Sequence, residues 1–191
     1  MVKQQKKSEL TKNKIKEAAS LLFVEKNFDE TSISDITKSA GYAVGSFYKH
    51  WKRKEDLLLE LWYDATTNFM LESARTLPRI QTPYEFSVHM VERVSIYGND
   101  PFIQKYFSAH YSLDVHDERA MSEAFDLYVK TIYQQLLTLH DQKENLHLWT
   151  ISIAVADLLN GHVLNNNNFG KNSCSVLNKE QLISIIEQLI T

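Results

Sequence analysis

The stretch Thr31–Leu57, TSISDITKSAGYAVGSFYKHWKRKEDL, decides the fold of this chain. Ser32 followed by Asp35 is an S-x-x-D capping box, the signature of a helix start. Ile33, Ile36 and Ala40 recur at helical spacing and give that helix one apolar face. Gly41 falls where a chain leaving a helix turns through positive φ. A second short helix is predicted from near Ala43 to Trp51. Phe47 and Trp51, four apart, point inward, leaving Val44, Ser46, Lys49 and His50 more outward. Two short helices joined by a glycine-bearing turn form a helix-turn-helix, whose second helix enters the DNA major groove.

Outward from this stretch, the preceding segment Thr11–Lys26 carries Ile15, Ala18, Ala19, Leu22 and Phe23 at spacings of three and four. It is predicted to cover the apolar side of the helix-turn-helix, with Phe28 plugging the small core. Residues 1–10 are Lys-rich and read as a loose basic arm or a solvated tail. Residues 1–54 hold twelve Lys and Arg against six Asp and Glu, while the remainder holds nine against eighteen. A basic head on an acidic body is the electrostatic footprint of a small DNA-binding domain.

The wording of the stretch resembles the TetR family of bacterial transcriptional regulators. Thr31, Ile36, Ala40, Gly41, Gly45, Phe47, Tyr48, His50, Trp51, Lys54, Glu55 and Leu57 stand where that family's pattern has the same or similar types. The resemblance covers roughly the first 60 residues, including the helix before the motif. It implies a three-helix DNA-binding head at 1–54 and a larger helical ligand-binding and dimerisation body at 55–191. It also implies DNA contacts for Ser32, Val44, Gly45, Ser46, Tyr48, Lys49, His50 and Lys54. Tyr48, His50 and Lys54 match positions that touch phosphate in the family. Val44, Ser46 and Lys49 would face base edges, where Lys suits guanine O6/N7 and Val a thymine methyl. Ala43 departs from the family's capping Ser or Thr, a loss of about 1 kcal/mol unless replaced. Val44 departs from a usual Lys or polar residue.

The body reads as a succession of helices. One runs from near Lys54 to Arg75 with Leu58, Leu61, Trp62, Ala65 and Phe69 as its stripe. Pro78 and Pro83 bracket a connection. Pro83–Tyr97 has Phe86, Met90, Val91 and Val94 inward. A short aromatic helix runs from Pro101 to near Asp114, and a long one from Asp117 to His140. In Leu146–Leu164, twelve of nineteen residues are apolar and lie on most faces. Such a helix is buried on more than one side, which suggests a core on one face and a second subunit on the other. The run NNNNFGKNS is expected to stop it, and Ser175 or Asn178 to start the last helix. The fold class is all-α, about nine helices.

Five Gly and three Pro in 191 residues favour long helices over many-turned sheets. One cysteine, Cys174, excludes an internal disulfide framework, and no apolar run reaches bilayer length. The chain reads as soluble and cytoplasmic, without a membrane partner. Its seven histidines include no HExxH or H-x3-H pair, so no metal site is expected. No phosphate loop or nucleophile elbow appears, so neither catalytic residues nor a cofactor are expected. The body's aromatic residues suggest an apolar effector cavity lined by Trp62, Phe86, Met90, Phe107, Tyr111, Phe125, Tyr128 and Trp149. The expected dimer face is Ile151, Val155, Leu158, Leu159, His162, Leu182, Ile186 and Leu189. The functional reading is a homodimeric repressor, released from a palindromic operator on double-stranded DNA by a small apolar or aromatic molecule. An activator or protein-contact regulator without an inducer is the alternative, and an all-α enzyme a distant one.

Overall fold

A computed structural model describes residues 2–75, 80–110, 118–140, 146–169 and 176–191. These form eight α-helices and one 3-10 helix, with no strand among the described residues. In chain order they are α1 (Val2–Lys26), α2 (Ile33–Ser39), the 3-10 helix Val44–Lys49, α3 (Lys54–Arg75), α4 (Pro83–Gly98), α5 (Pro101–His110), α6 (Glu118–Leu139), α7 (Leu146–Phe169) and α8 (Lys179–Ile190). They fall into two compact units: Met1–Asp64 with Pro101–Asp117, and Ala65–Asp100 with Glu118–Thr191. The expected boundary at 54 is the start of α3; the units divide that helix at Asp64.

The first unit, the head, closes on Ile15, Ala19, Phe23, Phe28, Ile36, Phe47 and Leu57, all buried. Phe23 and Phe28 meet with ring centroids 5.3 Å apart, and Phe28 plugs the α1–α2 loop as its position suggested. That loop turns at Asn27, whose φ of 69° is the strained left-handed region a non-glycine seldom occupies. Thr31 Oγ1 donates to the Asn27 carbonyl at 2.7 Å, and Lys105 of α5 donates to the Asn27 side-chain oxygen. On α5, Tyr106 stacks on Trp62 of α3 at 5.1 Å. One expectation fails here: residues 2–10 are not a loose arm but the first turns of α1.

The second unit, the body, is built by α4, α6, α7 and α8 with the C-terminal part of α3. Phe86, Met90, Val91 and Val94 are buried as the α4 pattern required. Pro83 sits in the first turn of α4 behind a Thr82–Glu85 capping box. Asn178, not Ser175, caps α8 through a box with Gln181. The asparagine run does not end α7, which continues to Phe169.

α7 packs against α4, α6 and α8 of its own unit. Three neighbours account for most of its apolar surface, so a helix apolar on most faces does not here require a second subunit. Val155, Leu159, Leu182 and Ile186 are fully buried in this chain's own core, and Ile151 nearly so. These five residues of the expected dimer face thus have little or no exposed surface in the single chain. Leu158 and His162 are half-buried, and Leu189 is 40 % exposed.

Candidate nucleic-acid interface

The motif folds from its own local chemistry. Ser32 Oγ accepts from the Asp35 N–H at 3.1 Å, and Asp35 Oδ2 accepts from the Ser32 N–H at 3.0 Å. The Ser32 hydroxyl also donates to Asp35 at 2.6 Å, and these bonds from Ser32 hold the Asp35 carboxyl below its usual range. α2 then runs to Ala40, and Gly41 turns at φ +78°. Tyr42 N–H returns to the Thr37 carbonyl at 2.8 Å, closing the turn.

The second helix differs from expectation in kind. Val44–Lys49 is a 3-10 helix, and Ala43 gives it no side-chain cap. Its first turn is held by i to i+3 backbone bonds such as Ser46 N–H to the Ala43 carbonyl at 2.8 Å. Its inner side is fixed nonetheless. Phe47 is wholly buried, and its ring meets Trp51 at 5.4 Å. The outer side carries Val44 at 40 % and Tyr48 at 57 % exposure, with Gly45 and Lys49 exposed and Ser46 and His50 half-buried. A Cβ at Gly45 would meet open space, so the surface there is flat and approachable.

Two of the residues expected to contact DNA, Lys54 and Ser32, also hold the head together. Lys54 Nζ donates to the carbonyls of Phe28 and Thr31, at 2.5 and 2.8 Å, and lies 4.0 Å from the Phe28 ring centroid. Burial holds its pKa below the usual lysine value. Lys54 thus ties α3 to the α1–α2 loop, with two of its three ammonium hydrogens given to those carbonyls. The Ser32 hydrogen is likewise spent inside the capping box. His50 is held towards its neutral form by burial and then by Lys12, so it offers an N–H rather than a cation.

A polar knot behind the motif was not legible in sequence. Trp51 Nε1 donates to Glu60 Oε2 at 2.8 Å, while Lys12 and Lys16 pair with Glu60 Oε1 at 2.9 and 3.0 Å. Lys16 also pairs with Asp64. Burial alone would raise the Glu60 carboxyl, but the bonds from Lys12, Lys16 and Trp51 outweigh it and lower its pKa. For Lys16, burial lowers and the bonds to Asp64 and Glu60 raise, with a net rise. Trp51 is the last residue of the motif, so Glu60 fixes the end of the outward helix onto α1 and α3. Nothing in a linear pattern says which carboxylate on α3 faces which lysines on α1.

The expected effector residues are divided. Trp62 and Phe107 are buried in the head, whereas Phe86, Met90, Phe125, Tyr128 and Trp149 belong to the body. Tyr111 lies outside the described residues. Trp149 meets Tyr133 edge-on at 5.2 Å. No group of three or more potential metal ligands occurs among the described residues. No helix among them is long and apolar enough to cross a membrane.

A capped helix, a glycine turn and a short helix with one aromatic side buried and the other side open define a helix-turn-helix head within an all-α chain. Residues 15–61 match the family model described as bacterial regulatory proteins, tetR family. Over 66 residues the chain is 33 % identical to the HTH-type transcriptional regulator AcrR of Shigella flexneri, covering 35 % of this chain and 31 % of that one. Over 55 residues it is 39 % identical to the uncharacterized HTH-type regulator YwcC of Bacillus subtilis, covering 29 % and 25 %. The matches thus span about a quarter to a third of these curated relatives. The structure of SmeT, the repressor of the Stenotrophomonas maltophilia multidrug efflux pump SmeDEF, superposes with a TM-score of 0.63 over 94 % of this chain and 87 % of that one, at 18 % identity. Over residues 15–61, the head is thus similar to the tetR family of bacterial regulatory proteins.

Proposed function

We propose that this protein is a DNA-binding transcriptional regulator whose head reads DNA through the outer side of Val44–Lys49. The observation that carries the reading is the two-sidedness of that helix: Phe47 wholly buried, with Val44, Gly45, Tyr48 and Lys49 exposed. Val44 and Ser46 suit base edges, and Lys49 and Tyr48 can donate to guanine or to phosphate. The basic balance of residues 1–54 supplies the attraction that brings the head to DNA.

The chain acts as a homodimer on a palindromic site, with two heads about 34–36 Å apart. Exposed Ile153 of α7 and Ile185 and Leu189 of α8, at 37, 36 and 40 %, supply the apolar contact between subunits. Of these, Leu189 belongs to the face first expected, and Ile153 and Ile185 extend it. A small molecule held by the body favours a conformation with the heads wrongly spaced and releases DNA, a coupling of about 1–3 kcal/mol. Repression is the simplest outcome of such binding. Hydroxyl-radical footprinting on DNA flanking the protein's own gene tests this reading. Two protected half-sites one helical turn apart are expected; uniform protection without half-sites would overturn it.

A further inference from the structure

The body holds a positive charge with no paired carboxylate among the described residues. Arg93 of α4 is half-buried, and its Nε and Nη2 both donate to Ser73 Oγ on α3, at 2.9 and 2.5 Å. The Ser73 hydrogen goes to the Phe69 carbonyl at 2.7 Å, so this buried hydroxyl is locked as an acceptor. The Phe69 ring lies 4.4 Å from the guanidinium carbon. Among the described residues no carboxylate pairs with Arg93. Its neighbour Glu92 reaches Lys179 at 3.4 Å instead. Both Nη1 hydrogens and one on Nη2 therefore have no protein acceptor among these residues.

The same α3–α4 seam continues through further donors. Phe69 meets Tyr97 at 5.3 Å, and the Tyr97 hydroxyl bonds buried Thr66 Oγ1 at 2.7 Å. On α6, burial and then Tyr97 push the Tyr128 phenol well above its ordinary value, so it stays protonated. One turn before Arg93, burial and then the guanidinium keep His89 towards its neutral form. Among the described residues the seam thus offers hydroxyls, aromatic rings and one cation, with no carboxylate paired to it. A partly buried cation without a partner is costly, whereas a planar guanidinium matches carboxylate and phosphate oxygens in a fork.

We infer that the body's effector is an organic anion with an apolar tail, its carboxylate or phosphate head meeting Arg93. Ser73 orients the guanidinium, and Phe69, Tyr97, Thr66 and Tyr128 supply the adjoining apolar and hydroxyl surface. This deepens the effector reading above and rests on it, but does not depend on DNA binding.

Isothermal titration of the full chain with octanoate, octyl phosphate, 1-octanol and octylamine tests it. At least one anion is expected to saturate a site, with octanol weaker by about tenfold or more and octylamine silent. Arg93→Gln should weaken the anion by about tenfold or more. Arg93→Lys should retain part of the binding, and Ser73→Ala should weaken it while leaving helicity by circular dichroism unchanged. Preference between the two anions tells a carboxylate head from a phosphate head. Octanol binding as well as either anion, no anion binding, or both Arg93 variants binding like the parent would overturn the assignment. Anion binding that leaves a DNA complex intact would instead remove the release step and spare the site. An intact, sequence-preferring DNA complex with no anion bound would sink the site alone.

Discussion

The two compact units treat buried polar groups in opposite ways. In the head, Trp51 Nε1, Glu60, Lys16, Lys54, Thr31 and Thr37 all find partners inside the unit. In the body, among the described residues, Gln135 Oε1, His140 Nε2 and His162 Nδ1 are buried without one, and Arg93 pairs with no carboxylate. His162 Nε2 bonds Asn166 at 2.7 Å and burial keeps the ring towards neutral, so its Nδ1 is left over. A closed interior holds one surface in one geometry, which reading DNA requires. An interior with unspent donors and acceptors costs stability until something from outside satisfies it. The contrast accords with the proposed division, in which the head recognises DNA and the body responds to an effector.

Breaking the head's interior should have the largest effect. Phe47→Ala removes a wholly buried ring and is expected to cost about 3–5 kcal/mol in chemical denaturation. Glu60→Ala comes next. It strands Trp51 Nε1, unpairs Lys12 and leaves Lys16 with Asp64 alone, and the loss should be about 2 kcal/mol, since Glu60 is partly solvated. The pH dependence has a definite sign. The folded Glu60 pKa lies below its ordinary 4.5, so its contribution is full above that pH and is lost as pH falls through the depressed value. Denaturation of Glu60→Gln should show a shallower acid loss than the parent.

Smaller changes sharpen the contrast. Gln135→Met replaces an orphaned acceptor with an apolar side chain of similar size. It should raise body stability by about 1 kcal/mol, whereas Thr37→Val in the satisfied head should lower it. At the surface, Ile153→Glu with Leu189→Glu should yield folded monomers in sedimentation. Leu159→Glu should unfold the chain rather than merely separate subunits, because Leu159 is wholly buried. Lys49→Ala should reduce the salt slope of DNA binding by about 1, while Lys54→Ala should lower stability and leave that slope unchanged.

How much of this was legible in sequence follows from the range of the interactions involved. The capping boxes at Ser32 and Asn178, the Gly41 turn and the inward Phe47 depend on residues a few positions apart. Helical spacing likewise placed Phe86, Met90, Val91 and Val94 in the core. Where the partner is distant in the chain, the sequence was silent. Lys54 was expected at phosphate by resemblance, and nothing local shows that its ammonium meets carbonyls 23 and 26 residues earlier. Leu159 and Ile186 looked like dimer residues because apolarity cannot tell a neighbouring helix from a neighbouring subunit. The Glu60 knot and the Arg93–Ser73 seam join helices whose facing sides no periodicity specifies.

The central claim, that the outer side of Val44–Lys49 meets DNA, is tested most directly by fluorescence anisotropy across a salt series. The duplex would carry the flank of the protein's own gene, with a scrambled duplex as control. The account predicts a sequence-preferring complex whose affinity falls linearly in log salt, with a slope shallower by about 1 for Lys49→Ala. Equal affinity for both duplexes, or a slope that Lys49→Ala leaves unchanged, would contradict it.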